Sequence, residues 1–135
     1  MRLKDEAGSL YFRLSPECWA LIEYRPYIDE LMAEIQKVDQ NVEIRKVPDW
    51  YCDGNLKGFA RVDPKKGGGD LANMAVIEPI NTLDRLYTFT HETGHIVHKH
   101  SGQRIPSVVT KEEYEANCYA RSKFHSWGLE IPQGR

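Results

Sequence analysis

Two histidines four residues apart, His91 and His95, enclose a glutamate in the segment His91-Glu92-Thr93-Gly94-His95, inside a helix-forming run. Positions four apart on an α-helix differ by only about 40° around its axis, so both imidazoles project from one face toward a common point. A metal ion suits that point. Neutral imidazole nitrogens bind zinc, and Glu92, set to one side, can take a proton from a zinc-bound water without occupying the ion. The pattern reads as metal-dependent peptide hydrolysis. The rival for a bare pentapeptide is an amphipathic helix whose histidines are buried and hydrogen-bonded.

The flanking residues support a helix. Leu83, Leu86, Tyr87, Thr90, Gly94 and Val97 recur at intervals of three and four, and Asn81 or Thr82 is placed to cap the start. Gly94 costs a helix roughly 1 kcal/mol relative to alanine, a cost understandable if another backbone or a ligand passes close by.

With 135 residues and 41% hydrophobic content the chain suits one domain, residues 1–135, with one core. The net charge of -2 comes from 18 basic and 20 acidic residues without long blocks of either sign, which gives no footing for nucleic acid. No stretch has the length of a membrane span, and Met1-Arg2-Leu3-Lys4-Asp5-Glu6 does not lead into a signal-peptide core, so the expected location is cytoplasmic. Cys18, Cys52 and Cys118 are odd in number and far apart, which fits buried thiols in a reducing compartment.

Ser15-Pro16-Glu17 predicts a helix opening, continued by Trp19, Leu21 and Ile22 and interrupted at Pro26. A second helix is expected from about Tyr27 to Val38 on Ile28, Leu31, Met32 and Ile35. Val42, Ile44 and Val47, then residues 58–62, then residues 72–77 are three strand candidates. The turn formers Asp53-Gly54-Asn55 and 64–70 between them predict antiparallel neighbours. The glycines at 67–69 lack the lysine and hydroxyl residue of a phosphate loop and read as a hairpin tip. Ser101-Gly102 should end the histidine helix. A last helix should start at Thr110, with Glu113 completing a capping box, and stop by Trp127-Gly128. Its inward surface is expected from Tyr114, Ala116, Cys118, Ala120 and Phe124, and 130–135 has the composition of a tail. The fold class is α+β: N-terminal helices, a small, mainly antiparallel sheet of about three strands, and the histidine helix packed on a following glutamate-bearing helix.

A catalytic zinc takes three protein ligands and keeps a position for water. Glu112, Glu113 and Glu115 lie on the following helix, where the plain reading of Glu112 and Glu113 is negative charge favoured near a helix N-terminus. Glu115 begins Glu115-Ala116-Asn117-Cys118-Tyr119-Ala120. Together with the His91 to His95 segment, this makes roughly positions 76 to 125 resemble the ImmA/IrrE-type metallopeptidases, which pair a His-Glu-x-Gly-His helix with a later Glu-Ala-Asn-x-Phe-Ala helix. The resemblance implies a zincin-like fold, Zn2+ held by His91, His95 and Glu115, and Glu92 as general base. It also implies a specific cytoplasmic protein as substrate, for example a transcriptional repressor, aligned along the exposed edge of the strand from Met74 to Glu78. Tyr119 stands where the family often has phenylalanine, and Arg121-Ser122-Lys123-Phe124-His125 departs from the family's aliphatic continuation. A transition-state donor is open among Tyr119, His98 and His125. The alternative function is a non-catalytic, metal-stabilised binding or regulatory module with the same fold.

Overall fold

The computed structural model describes residues 2–5, 7–48, 58–102 and 105–135; Cys52 and the Asp53-Gly54-Asn55 turn lie outside the described residues. The chain is mixed α+β, with strands and one helix followed by three strands and two long helices.

Where Ser15-Pro16-Glu17 predicts a helix, a hairpin forms. β1 (Arg2–Lys4), β2 (Leu10–Ser15) and β3 (Cys18–Leu21) make an antiparallel meander, with Tyr11 opposite Leu21 and Phe12 opposite Ala20. Cys18 and Ala20 are buried while Trp19 and Leu21 are half-buried, the two-residue alternation of a strand with one covered face. Pro16 and Glu17 form the turn, where proline's fixed φ is as well accommodated as at a helix start. Pro26 does not interrupt a helix but sits in the first turn of α1 (Arg25–Val38), where its missing N–H breaks no bond. Ile28, Leu31 and Ile35 form the buried stripe of α1, close to the expected span.

The second sheet has the order β4 (Glu43–Lys46), β6 (Asp70–Val76), β5 (Gly58–Pro64). β5 and β6 are the expected antiparallel hairpin. β4, however, runs parallel to β6, because β5, the strand that follows it in sequence, lies on the far side of β6 and is not its partner. β6 is thus central, and Met74, Ala75 and Val76 are all buried on it.

α2 (Leu83–Val97) opens on Thr82, whose Oγ1 accepts from the Arg85 N–H at 3.1 Å. It packs against α1, α3, β5 and β6, and every residue from Leu86 to Ile96 is buried. α3 (Pro106–Trp127) begins at Pro106 rather than Thr110, because the Thr110 hydroxyl donates to the Pro106 carbonyl within the first turn and caps nothing. Its buried face is Ala116, Ala120 and Phe124, whereas Tyr114 and Cys118, expected inside, are exposed. The expected tail is docked. Leu129 and Ile131 pack on the core, and Arg135 pairs with Asp84 at 3.0 Å and donates to Thr88 Oγ1 at 3.1 Å. Among the described residues no helix is long and apolar enough to cross a membrane.

Candidate metal centre

Because α2 is covered on nearly all sides, its histidines are buried with it: His91, Glu92 and His95 are 8%, 6% and 7% exposed. One ligating atom from each lies within 4.8 Å of the others. The next helix reaches them because Gly94 has no side chain. A Cβ there would stand 3.1 Å from the Ala116 Cα and 3.0 Å from the Tyr119 Cβ, so glycine and alanine together allow α3 to approach in van der Waals contact.

That approach brings up Glu113. Its carboxylate oxygens lie 3.0 Å from His91 Nε2 and 3.1 Å from His95 Nε2. One turn further on, Asn117 Oδ1 accepts a hydrogen bond from the other nitrogen of His91, Nδ1, at 2.9 Å. The carboxylate facing the imidazole pair is therefore Glu113. Glu115, the residue that the resemblance implies there, turns to His100, with Oε1 3.3 Å from His100 Nε2, and to His98, with Oε2 3.8 Å from His98 Nδ1. Helical geometry explains the split, since two residues on α3 are separated by about 200° and cannot share a face.

His100 is buried, and the sequence reading gave it no role. The end of α2 delivers it. The Lys99 N–H donates to the Ile96 carbonyl and the His100 N–H to the His95 carbonyl, each at 2.9 Å, with Lys99 at φ 55°. These are the paired bonds of a Schellman cap, which stacks the residue two past the cap over the helix's last turn. The helix accordingly closes at His98, ahead of Ser101-Gly102. An apolar pair usually meets there; here His95 Nδ1 and His100 Nδ1 are 2.8 Å apart. The Val62 N–H of β5 donates to the His100 carbonyl at 2.8 Å and fixes the loop to the sheet.

Glu92 lies against the start of β5, where a Cβ on Gly58 would come within 3.2 Å of its Oε2 and 2.8 Å of the Ala75 carbonyl. Burial, only partly countered by His91 and His95, raises its pKa from 4.5 to about 7. Hydrogen bonds from His91 and then His95 hold the Glu113 carboxyl far below the usual carboxylate range. At His91 burial opposes protonation, but the Glu113 hydrogen bond and the Glu92 charge outweigh it and the pKa is raised.

The other candidates fall elsewhere. The Tyr119 hydroxyl donates to Glu34 Oε2 at 2.6 Å, tying α3 to α1, and so does not supply the cleft. His98 and His125 are exposed. Cys18 is buried, which pushes its thiol up to about 11. Compared with models of protein families, with curated proteins and with solved structures, the chain matches none of them.

Proposed function

We propose that this chain is a zinc metallopeptidase of the ImmA/IrrE type with a zincin-like fold, hydrolysing peptide bonds in a specific cytoplasmic protein such as a transcriptional repressor. The observation that carries the reading is the convergence of His91 Nε2, His95 Nε2 and the Glu113 carboxylate at 3.0 and 3.1 Å, with Glu92 buried beside them. This donor set fits zinc. Ligand bonds of about 2.0–2.1 Å in a tetrahedral site put neighbouring donor atoms roughly 3.3 Å apart, close to the separations here. The third-ligand role accordingly goes to Glu113 in place of Glu115.

When bound, zinc supplies a Lewis acid and a water acidic enough to react at neutral pH. The protein's part is to hold and move protons. Glu92, buried beside the two imidazoles, takes a proton from the attacking water on its carboxylate and delivers it to the leaving nitrogen. The strand expected to align the substrate, β6, is interior and has no free edge. The edge strand beside α2 is β5. The outward Val62 N–H fixes the direction of the Ala60 and Gly58 N–H groups as well, because alternate residues of an antiparallel strand point the same way. An extended peptide pairing there would lie next to Glu92.

The test is metal content together with cleavage of a mixture of unstructured peptides read by mass spectrometry. Glu92→Gln keeps zinc and loses cleavage; His91→Ala and Glu113→Ala lose both. Cleavage undiminished in Glu92→Gln would exclude the peptidase, and protein purified without zinc at the site would exclude the metal centre.

A further inference from the structure

We infer that His100 and Glu115 form a relay that positions His95 from behind, fixing its tautomer and ring orientation for metal binding; the inference rests on the metal-centre reading above. Three side chains in succession carry it. His95 Nδ1 is 2.8 Å from His100 Nδ1, and the opposite nitrogen of His100, Nε2, is 3.3 Å from Glu115 Oε1. Only one set of neutral tautomers satisfies the chain with His95 Nε2 deprotonated, as a metal-ligating imidazole nitrogen must be. His95 Nδ1–H donates to His100 Nδ1, and His100 Nε2–H donates to the Glu115 carboxylate. The last donor meets a charged acceptor, which strengthens each link before it.

The relay is held rigidly at both ends. His100 is 7% exposed, its N–H is bonded to the His95 carbonyl and its own carbonyl accepts from Val62, so it cannot swing away without breaking the cap of α2 and a bond to β5. Its place behind the His95 ring, on the side opposite Nε2, excludes it as a ligand of the same ion. Glu112 Oε2, 4.0 Å from His100 Nδ1, is too distant to compete for the hydrogen bond. Asn117 does for His91 directly what Glu115 does for His95 through His100. Both residues of the Glu115-Ala116-Asn117 segment that carry hydrogen-bonding side chains therefore act on the rings of the two histidines, while Glu113 faces their metal-binding nitrogens.

Partners of this kind alter metal affinity by about 10- to 100-fold. Zinc affinity by chelator competition and the visible absorption of the Co2+-substituted protein measure the effect. His100→Ala is expected to weaken zinc binding 10- to 100-fold and shift the Co2+ bands. His100→Asn should recover most of the affinity, because its Oδ1 falls near the position of the lost Nδ1 and accepts the same hydrogen bond. Glu115→Ala should weaken binding less than His100→Ala, and the double variant should be no weaker than His100→Ala alone, as expected for groups acting in series. Wild-type affinity and spectrum in His100→Ala, or no rescue by asparagine, overturns the relay. Loss of zinc in Glu115→Ala with retention in Glu113→Ala also overturns it, by making Glu115 the ligand. Should the alanine variant not fold, His100→Asn and Glu115→Ala decide, since unaltered binding and spectra in Glu115→Ala exclude a charged end to the chain. If the wild type binds neither Zn2+ nor Co2+, the metal centre itself fails, an outcome distinct from a failure of the relay alone.

Discussion

Glu92 is a carboxylate that the metal-free fold disfavours. Its pKa is raised, so its contribution to stability is complete below the unfolded value near 4.5 and is lost as pH climbs through about 7. Glu92→Gln, which removes the charge and keeps the shape, should therefore stabilise the zinc-free protein at pH 8 by the order of 3 kcal/mol and have little effect at pH 4, measured by urea unfolding at the two pH values. An equal effect at both would mean that desolvation does not govern this side chain. Lys99 is a second residue with a local cost, because its left-handed φ of 55° is unfavourable by about 1–2 kcal/mol for a residue with a Cβ. Its exposed ion pair with Asp70 at 3.1 Å offsets little of that. Lys99→Gly should raise the unfolding midpoint by an amount equivalent to as much as about 1 kcal/mol, the larger freedom of glycine in the unfolded chain reducing the gain.

The contact between α2 and α3 depends on two small residues, and it is the element-scale feature on which the site rests. At an ordinary helix position Gly94→Ala would be worth about 1 kcal/mol in favour of the fold. Here the new methyl would meet the Ala116 Cα at 3.1 Å and the Tyr119 Cβ at 3.0 Å, atoms that cannot yield without moving the helix. Overpacking of this sort costs about 1–3 kcal/mol, so the variant should be less stable than wild type and should bind zinc more weakly as Glu113 recedes from the imidazoles. Calorimetry and metal titration on the same sample would show it. A more stable variant with intact zinc affinity would mean that the helices have room to spare.

At the scale of the whole molecule, the proposed ligands bind two helices whose mutual packing also buries Phe124 against Tyr87. A metal bound only by the folded form then stabilises the entire domain. Free zinc at a thousandfold excess over its dissociation constant is worth about 4 kcal/mol, which for a domain of this size corresponds to a rise in Tm on the order of 10 °C. Chelation should reverse it, and Glu92→Gln should retain it. A melting curve indifferent to zinc and chelator would leave the histidines as packing groups.

The histidine helix, a cap at Asn81 or Thr82, the glycine marking a close approach and α1 from its apolar stripe were all legible in order of residues, because each depends on neighbours three or four positions away. So was the β5–β6 hairpin. A helical wheel also carries the distinction between the glutamates: Glu113 and Asn117 lie on the strip of Ala116, Ala120 and Phe124, and Glu115 does not. Other features had no local signal. Ser15-Pro16 serves a hairpin turn as well as a helix start, and only pairing with β2 decides between them. The parallel placement of β4 follows from which strand came to lie beyond β6. The arrival of His100 behind His95 depends on a Schellman cap built around lysine, where glycine would have announced it. Spacing along the chain thus determined which donors share a helix face. Only the meeting of α2 with α3, and of both with β5, decided that this strip of α3 faces the imidazoles and that His100 stands behind one of them, because contacts between elements are fixed by packing and leave no period in the sequence.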